Sequence, residues 1–165
     1  PTSYFNQRTY ANLLYFARRY DEAVVQYKQV IETGGEQNFA VYDWLIRPLE
    51  MQGKEPEAFE WFIKYLTLRN QDDMTIGNFR TAYQKSGWRG VLLERDRTFD
   101  ESFSSYFRRA AWNASLGNKD KAFEYLEIAF QRHDSVMGSL LVEPIFDPLR
   151  DDPRYADLAR RLKGR

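Results

Sequence analysis

The sequence predicts an all-α protein, and three observations support this fold class. Apolar residues recur at helical spacing, as in Tyr10, Leu13, Leu14 and Ala17, which follow i, i+3, i+4 and i+7. The turn dipeptides Asn-Gly and Asp-Gly, which mark β-hairpins, do not occur, and strand-like alternation is missing. Glycine and proline number only 9 and 6, and most of them fall at the ends of helical stretches. We therefore expect about nine or ten helices with short connections.

These helices are predicted to form four successive pairs and a closing segment. The first two pairs span residues 4–37 and 39–72, and a third, degenerate pair spans residues 73–99. The fourth pair spans residues 103–136, and the closing segment covers residues 137–165. Glycines that can terminate helices mark most of the ends: Gly34, Gly35, Gly53, Gly87 and Gly117.

An alanine recurs near the start of the second helix in three of the four pairs. Ala23, Ala58 and Ala122 are 35 and 64 residues apart, which leaves room for one degenerate copy between the last two. A small residue here lets the first helix of the pair approach closely, while larger residues fill the remaining space. Apolar residues follow four and seven positions later: Tyr27, Val30, Phe62, Tyr65, Leu126 and Ala129.

This pattern resembles the tetratricopeptide repeat, a helical hairpin of about 34 residues. Residues 86–90 and 146–162 are similar to segments of a bacterial group in which such repeats form the C-terminal part of winged-helix regulators or serine/threonine kinases. The resemblance implies an α-α superhelix with a C-terminal capping helix. It also implies that the first helix of each pair lines a concave groove that binds a protein or peptide. Arg109 and Asn113 stand where the repeat usually carries apolar residues.

The composition limits the classes of function. With 165 residues the chain suits one domain, residues 1–165, and its 24 basic and 24 acidic residues cancel. A zero net charge argues against direct binding of nucleic acid, which needs a basic surplus. The lack of cysteine and the single histidine exclude thiolate and multi-histidine metal sites, so we predict no metal and no cofactor.

The apolar runs are too short to cross a membrane, and the start of the chain does not have the layout of a signal peptide. We therefore predict no membrane partner and a cytoplasmic location. A place in the periplasmic or extracellular part of a larger protein stays open. Pro1 stands where an initiator methionine would be, and we expect the sequence to be a piece of a longer chain.

We also expect no enzymatic activity. His133 follows a predicted helix and is interpreted as a cation near its C-terminal end. The carboxylate pairs stand at predicted helix starts, where acidic residues satisfy free N–H groups. A ligand-sensing or enzymatic pocket near Trp112 and His133 is kept as a remote alternative, which would need convergent polar groups in an enclosed cavity.

The register of the resemblance places candidate partner-binding residues on the first helix of several pairs. They are Phe5, Arg8, Asn12, Tyr15, Asp43, Arg47, Gln84 and Lys85. Some family members hold a peptide's C-terminal carboxylate with five basic and amide residues. Arg8 and Asn12 match two of those positions, whereas Trp44, Met74 and Asn78 occupy the others and do not match.

Two functions from different classes are left open by these residues. In the first, the groove binds a peptide or partner domain, and alanine at Arg8, Asn12 or Tyr15 weakens binding while the helical content stays intact. In the second, exposed helix faces stack in a symmetric homodimer that brings two attached effector domains together.

Overall fold

A computed structural model describes residues 4–35, 37–102 and 104–164 of the chain. Within these segments the regular elements are all helices, and no strand occurs. The predicted all-α fold class is confirmed. The superhelical arrangement of the pairs stays a prediction.

Eight α-helices and three shorter helical elements follow one another in the described part of the chain. The α-helices are α1 (Tyr4–Phe16), α2 (Tyr20–Val30), α3 (Phe39–Met51), α4 (Glu55–Leu68), α5 (Asp73–Arg97), α6 (Tyr106–Ser115), α7 (Lys119–Gln131) and α8 (Pro153–Lys163). A π-helical turn, Ile31–Gly35, follows α2 directly. Two short 3-10 helices, Met137–Leu141 and Pro144–Leu149, precede α8. The contacts divide the chain into two compact units, Pro1–Trp88 and Arg89–Arg165. The single-domain organisation therefore stays a prediction.

The first unit is built from two helical hairpins and the first part of α5. Helix α1 packs on α2, α2 packs on α3, and α3 packs on α4, while α1 also touches α3. Ala23 on α2 and Ala58 on α4 are both fully buried, as expected for small residues where helices approach closely. The Phe62 ring of α4 contacts the rings of Phe79 and Trp88 at centroid distances of 5.0 and 6.0 Å.

The second unit contains the α6–α7 hairpin and the closing segment. Ala122 on α7 is fully buried, like its counterparts in the first unit. The second 3-10 helix packs on α6, where the Phe107 and Phe146 rings meet edge to face at 5.1 Å. Helix α8 packs on α7 and on the first 3-10 helix, and the Tyr155 hydroxyl donates a hydrogen bond of 2.8 Å to the Leu140 carbonyl. The closing segment therefore covers one side of this hairpin.

Five helices end in the same way, at a residue with left-handed backbone. In each case this residue donates to a carbonyl three positions back, and the next residue donates five positions back, as at Leu49–Lys54. The five residues are Arg18, Gly53, Asn70, Gly117 and His133. His133, interpreted from the sequence as a cation near a helix end, therefore occupies a position set by backbone geometry, with φ of 54°.

Replacing glycine by alanine is expected to change stability in opposite directions at Gly53, where φ is positive, and at Gly77, where the backbone is helical. Gly53→Ala is expected to lower the free energy of unfolding by about 1–2 kcal/mol, because the alanine Cβ makes the left-handed backbone conformation unfavourable. Its φ is 67°, and an added Cβ would meet no atom within 4 Å, so no clash contributes. Gly77→Ala, on the helical backbone of α5 and equally free of neighbours, is expected to raise it by about 0.5–1 kcal/mol. Urea unfolding measures both, and changes of equal sign would contradict the assignment.

Helix α5 consists of two helical parts that meet at a break, and the degenerate third pair stays a prediction. The backbone leaves helical geometry only at Ser86 and Gly87, and Gly87 has φ of 59° and ψ of −149°. This combination is essentially restricted to glycine. Within the first unit, a carboxylate oxygen of Glu55 on α4 accepts a hydrogen bond of 3.2 Å from the Trp88 N–H. The connection between the two helical parts is therefore only two residues long, Ser86 and Gly87.

Candidate functional site

The candidate residues of α1 fall into two environments, and Tyr15 lies in the buried one. Its side chain is fully buried, and its ring contacts those of Phe16, Tyr20 and Trp44 at centroid distances of 5.4, 6.1 and 6.2 Å. The expectation that Tyr15 lines an accessible groove is therefore corrected. Its position on the helix faces α3, where aromatic packing takes it into the core.

Arg8 and Asn12 lie one helical turn apart on α1, and both are half-buried. The Tyr27 hydroxyl of α2 donates a hydrogen bond of 2.6 Å to Oδ1 of Asn12. This bond fixes the Asn12 side chain and leaves its amide NH₂ group unbonded within the described residues. The Arg8 guanidinium lies 5.8 Å from the centre of the Phe5 ring, and its Nε is shielded from solvent with no hydrogen-bond partner in the same part of the chain.

Asp43 and Arg47 lie one turn apart on α3 and pair with each other. Their side chains are only 16% and 11% exposed, and the ion pair measures 3.3 Å. The Arg47 guanidinium also stacks on the Trp44 ring at 3.5 Å. The Trp44 ring in turn meets the Phe16 ring of α1 edge to face at 5.9 Å. The structure therefore brings these two candidate residues together. Their charged groups are already engaged by each other and by the Trp44 ring.

These contacts form one continuous surface across two helices of the first unit. Positions 8, 12 and 16 follow i, i+4 and i+8 on α1, and Phe16 joins them to Trp44 and Arg47. We call this set the α1–α3 surface: Arg8, Asn12, Phe16, Trp44 and Arg47. Periodicity could identify Phe16 and Trp44 only as apolar residues, since their contact depends on how α1 and α3 pack.

Gln84 and Lys85 lie elsewhere in the first unit. Both are exposed near the end of the first part of α5, directly before the break at Ser86 and Gly87. Within the described segments, no hydrogen bond or ion pair joins them to α1 or α3. The structure does not bring these two candidates together with the α1–α3 surface.

In the second unit a groove of about 580 Å³ lies between α7 and α8. Phe123 and Leu158 contribute apolar surface, and the acidic lining residues are Asp120, Glu124, Glu127 and Asp157. Arg154 pairs with Asp120 at 2.8 Å and also with Asp152, and its hydrogen bond to Asp152 lowers the pKa of that carboxyl to about 2. In residues 4–35, 37–102 and 104–164, no group of three or more acidic, histidine or cysteine side chains could hold a metal ion.

A polar network inside the second unit contains Arg109 and Asn113, the two residues that depart from the repeat pattern described for the sequence. Asp96 of α5 accepts hydrogen bonds from Arg109 Nε at 2.8 Å and from Asn113 Nδ2 at 3.0 Å, and Asn113 is fully buried. The Arg109 guanidinium lies 4.6 Å from the Phe99 ring and 4.3 Å from the Tyr125 ring. Burial raises the pKa of Tyr125. The network satisfies its own polar groups, which indicates a structural role.

Trp112 and His133, the remote alternative for a pocket, occupy different environments. Trp112 is buried beneath the Arg95 guanidinium, whose carbon lies 4.4 Å from the ring centre. His133 is exposed at the end of α7. Neither residue lines the groove between α7 and α8. Their placement gives no support to an enclosed site built from both.

None of the helices in the described part of the chain combines the length and the apolar character needed to cross a lipid bilayer. We compared the chain with protein-family models, with curated proteins and with solved structures, and none of the three comparisons found a match.

Proposed function

We propose that this chain is a non-catalytic interaction module that binds a carboxylate-bearing peptide or partner domain at the α1–α3 surface. One observation carries the proposal. Arg8 and Asn12 present a guanidinium and an amide NH₂ one turn apart on α1, with hydrogen-bonding capacity that no described side chain uses. An arginine and an amide donor side by side suit a carboxylate, because charge-assisted hydrogen bonds are the strong ones.

The aromatic part of the same surface supports the proposal. Phe16 and Trp44 are half-buried, and edge-to-face contact holds their rings, while the Arg47 guanidinium lies flat on Trp44. Tryptophan and arginine are the residue types that most often carry the binding energy of interfaces. Such side chains lose little conformational freedom on binding, because packing has already fixed them. We propose that they contact an apolar side chain next to the bound carboxylate.

The wider context belongs to the same proposal. We propose that the hairpins are tetratricopeptide-like and that the chain works in the cytoplasm as part of a larger bacterial regulatory protein. The buried alanines at matching positions of three hairpins support the repeat, and the motif at residues 146–162 supports the context. The proposal includes no catalytic step, and Asp120 and Glu127 beside the groove between α7 and α8 pair with Arg154 and Arg161.

Selection from a phage-displayed library of random peptides tests the proposal directly. We expect the selected peptides to share an aspartate, a glutamate or a free C-terminus beside an aromatic or aliphatic residue. Calorimetry with one selected peptide should then show affinity about 10–100-fold lower for Arg8→Ala, which corresponds to the loss of a charge-assisted hydrogen bond. Asn12→Ala should weaken binding as well.

Lys64→Ala provides the matched control. Lys64 is exposed on α4, and its ammonium lies 4.0 Å from the Trp61 ring, so the variant removes a cation outside the α1–α3 surface. We expect it to bind within about twofold of the original chain, a difference well below 1 kcal/mol. Equal affinities for Arg8→Ala, Asn12→Ala and the original chain would refute the proposal, as would a selection that yields no binder.

A further inference from the structure

A buried tyrosine holds the Asn12 side chain of the α1–α3 surface from behind. Tyr27 lies on α2, which packs on α1, and its side chain is fully buried. Its hydroxyl donates a hydrogen bond of 2.6 Å to Oδ1 of Asn12. A phenol has one proton, so Tyr27 gives its whole donor capacity to Asn12. Because a buried hydroxyl cannot turn to bulk water instead, this bond has a strong hold on the orientation of the amide.

Without that bond, Asn12 has an alternative partner in Arg8. The two residues are four positions apart on α1, and side chains at this spacing are neighbours, with about 5–6 Å between their Cβ atoms. An arginine only donates, whereas a primary amide accepts at its oxygen and donates at its nitrogen. If the Asn12 amide flipped end for end, its Oδ1 would accept from the Arg8 guanidinium. The two groups would then satisfy each other in place of a ligand.

The hydrogen bond from Tyr27 prevents this pairing. With Oδ1 engaged by Tyr27, Arg8 and Asn12 form no hydrogen bond with each other in the part of the chain that the structure describes. We propose that Tyr27 is a positioning residue that makes the α1–α3 surface selective for carboxylates over carboxamides. This inference rests on the proposed function and deepens it, because it names the group that sets the orientation of the Asn12 donor.

The selectivity follows from the donors that the surface presents. With the amide held by Tyr27, Arg8 and Asn12 offer donors only. A carboxylate accepts at both oxygens and satisfies the guanidinium and the NH₂ group together. A carboxamide brings one oxygen and one NH₂ group, so one donor of the ligand meets a donor of the protein. A site built for one pattern of hydrogen bonds rejects a ligand that leaves its polar groups unpaired.

Calorimetry with two peptides tests the role of Tyr27. One is a peptide selected on the original chain, and the other is the same peptide with a carboxamide in place of its carboxylate. We expect the original chain to prefer the carboxylate by about 10–100-fold, the value of a charge-assisted hydrogen bond. Tyr27→Phe keeps the ring and is expected to bind the carboxylate about 3–10-fold more weakly and the carboxamide within twofold, so the preference falls.

A double-mutant cycle separates positioning from a general effect on the fold. Asn12→Ala removes the group that Tyr27 orients, and in this background Tyr27→Phe should change the affinity by less than about twofold. A merely structural role of the hydroxyl would weaken binding by the same factor in both backgrounds. Tyr65→Phe is the matched control, because its hydroxyl lies on α4 and accepts a hydrogen bond of 2.7 Å from Arg69. We expect this variant to bind like the original chain.

Asn12→Asp gives a further test that leaves Tyr27 unchanged. The carboxylate still accepts from the Tyr27 hydroxyl, but an oxygen replaces the NH₂ donor. We expect weaker binding of the carboxylate peptide than in Asn12→Ala, because two negative groups then meet.

The outcomes distinguish this inference from the proposed function. Equal affinities of Arg8→Ala, Asn12→Ala and the original chain would refute both. If Asn12→Ala does weaken binding, three results would overturn the role of Tyr27 alone. They are an unchanged preference in Tyr27→Phe, an equal loss in the two backgrounds, and an Asn12→Asp variant that binds as tightly as the original chain.

Discussion

Asp96→Ala is expected to lower the free energy of unfolding by about 3 kcal/mol, because it leaves a partly buried guanidinium without its carboxylate. Asp96 and Arg109 are 15% and 23% exposed in their side chains, and the ion pair measures 2.8 Å. The Asn113 amide, fully buried, loses the same acceptor. Urea unfolding followed by circular dichroism measures the change.

Two further variants separate the contribution of charge from that of the hydrogen bonds. Asp96→Asn keeps an oxygen acceptor in place and is expected to lose about half as much stability, since hydrogen bonds to neutral groups are weaker. Asp120→Ala removes the carboxylate of an exposed ion pair, in which Asp120 is 93% exposed. We expect its effect to stay below about 0.5 kcal/mol. An Asp96→Ala variant as stable as Asp120→Ala would show that the network contributes nothing.

Tyr15→Ala is expected to destabilise the first unit by about 3–5 kcal/mol, the range for removing a large aromatic side chain from a core. Tyr15 is fully buried among three aromatic rings, so alanine leaves a cavity between α1 and α3. This result differs from the expectation of the sequence analysis, in which the variant weakened binding with the fold intact. Thermal unfolding monitored by circular dichroism gives the change in Tm.

Phe5→Ala is the matched control for Tyr15→Ala. It also removes an aromatic ring from α1, but the Phe5 side chain is 63% exposed. We expect a change within about 0.5 kcal/mol, as for surface substitutions in general. Equal Tm values for Tyr15→Ala and the original chain would falsify the placement of Tyr15 in the core.

Much of the fold could be predicted because its determinants are local. Apolar spacing of 3.6 residues identified the helices, and the ends of α3 and α6 lie next to Gly53 and Gly117. The buried alanines could be placed as well, because a small residue repeated in register indicates close helix packing. Gly87 was expected to terminate a helix, but its exact backbone geometry depends on Glu55, which lies 32 residues earlier in the chain.

The candidate site was harder to predict, because it depends on contacts between helices. Periodicity places Arg8, Asn12 and Tyr15 on one broad side of α1. Only the position of the Trp44 ring on α3 decides that Tyr15 points into the core while Asn12 stays at its edge. Likewise, Arg109 disagreed with the repeat pattern, and the reason is a carboxylate on another helix, 13 residues away.

The succession of helix contacts has a consequence for the kinetics of folding. In the first unit α1 packs on α2, α2 on α3 and α3 on α4, so most partners are near neighbours along the chain. Folding then closes short loops only, and little chain entropy is lost before native contacts begin to stabilise the hairpins. A hairpin can form early and serve as the template on which the next helix docks.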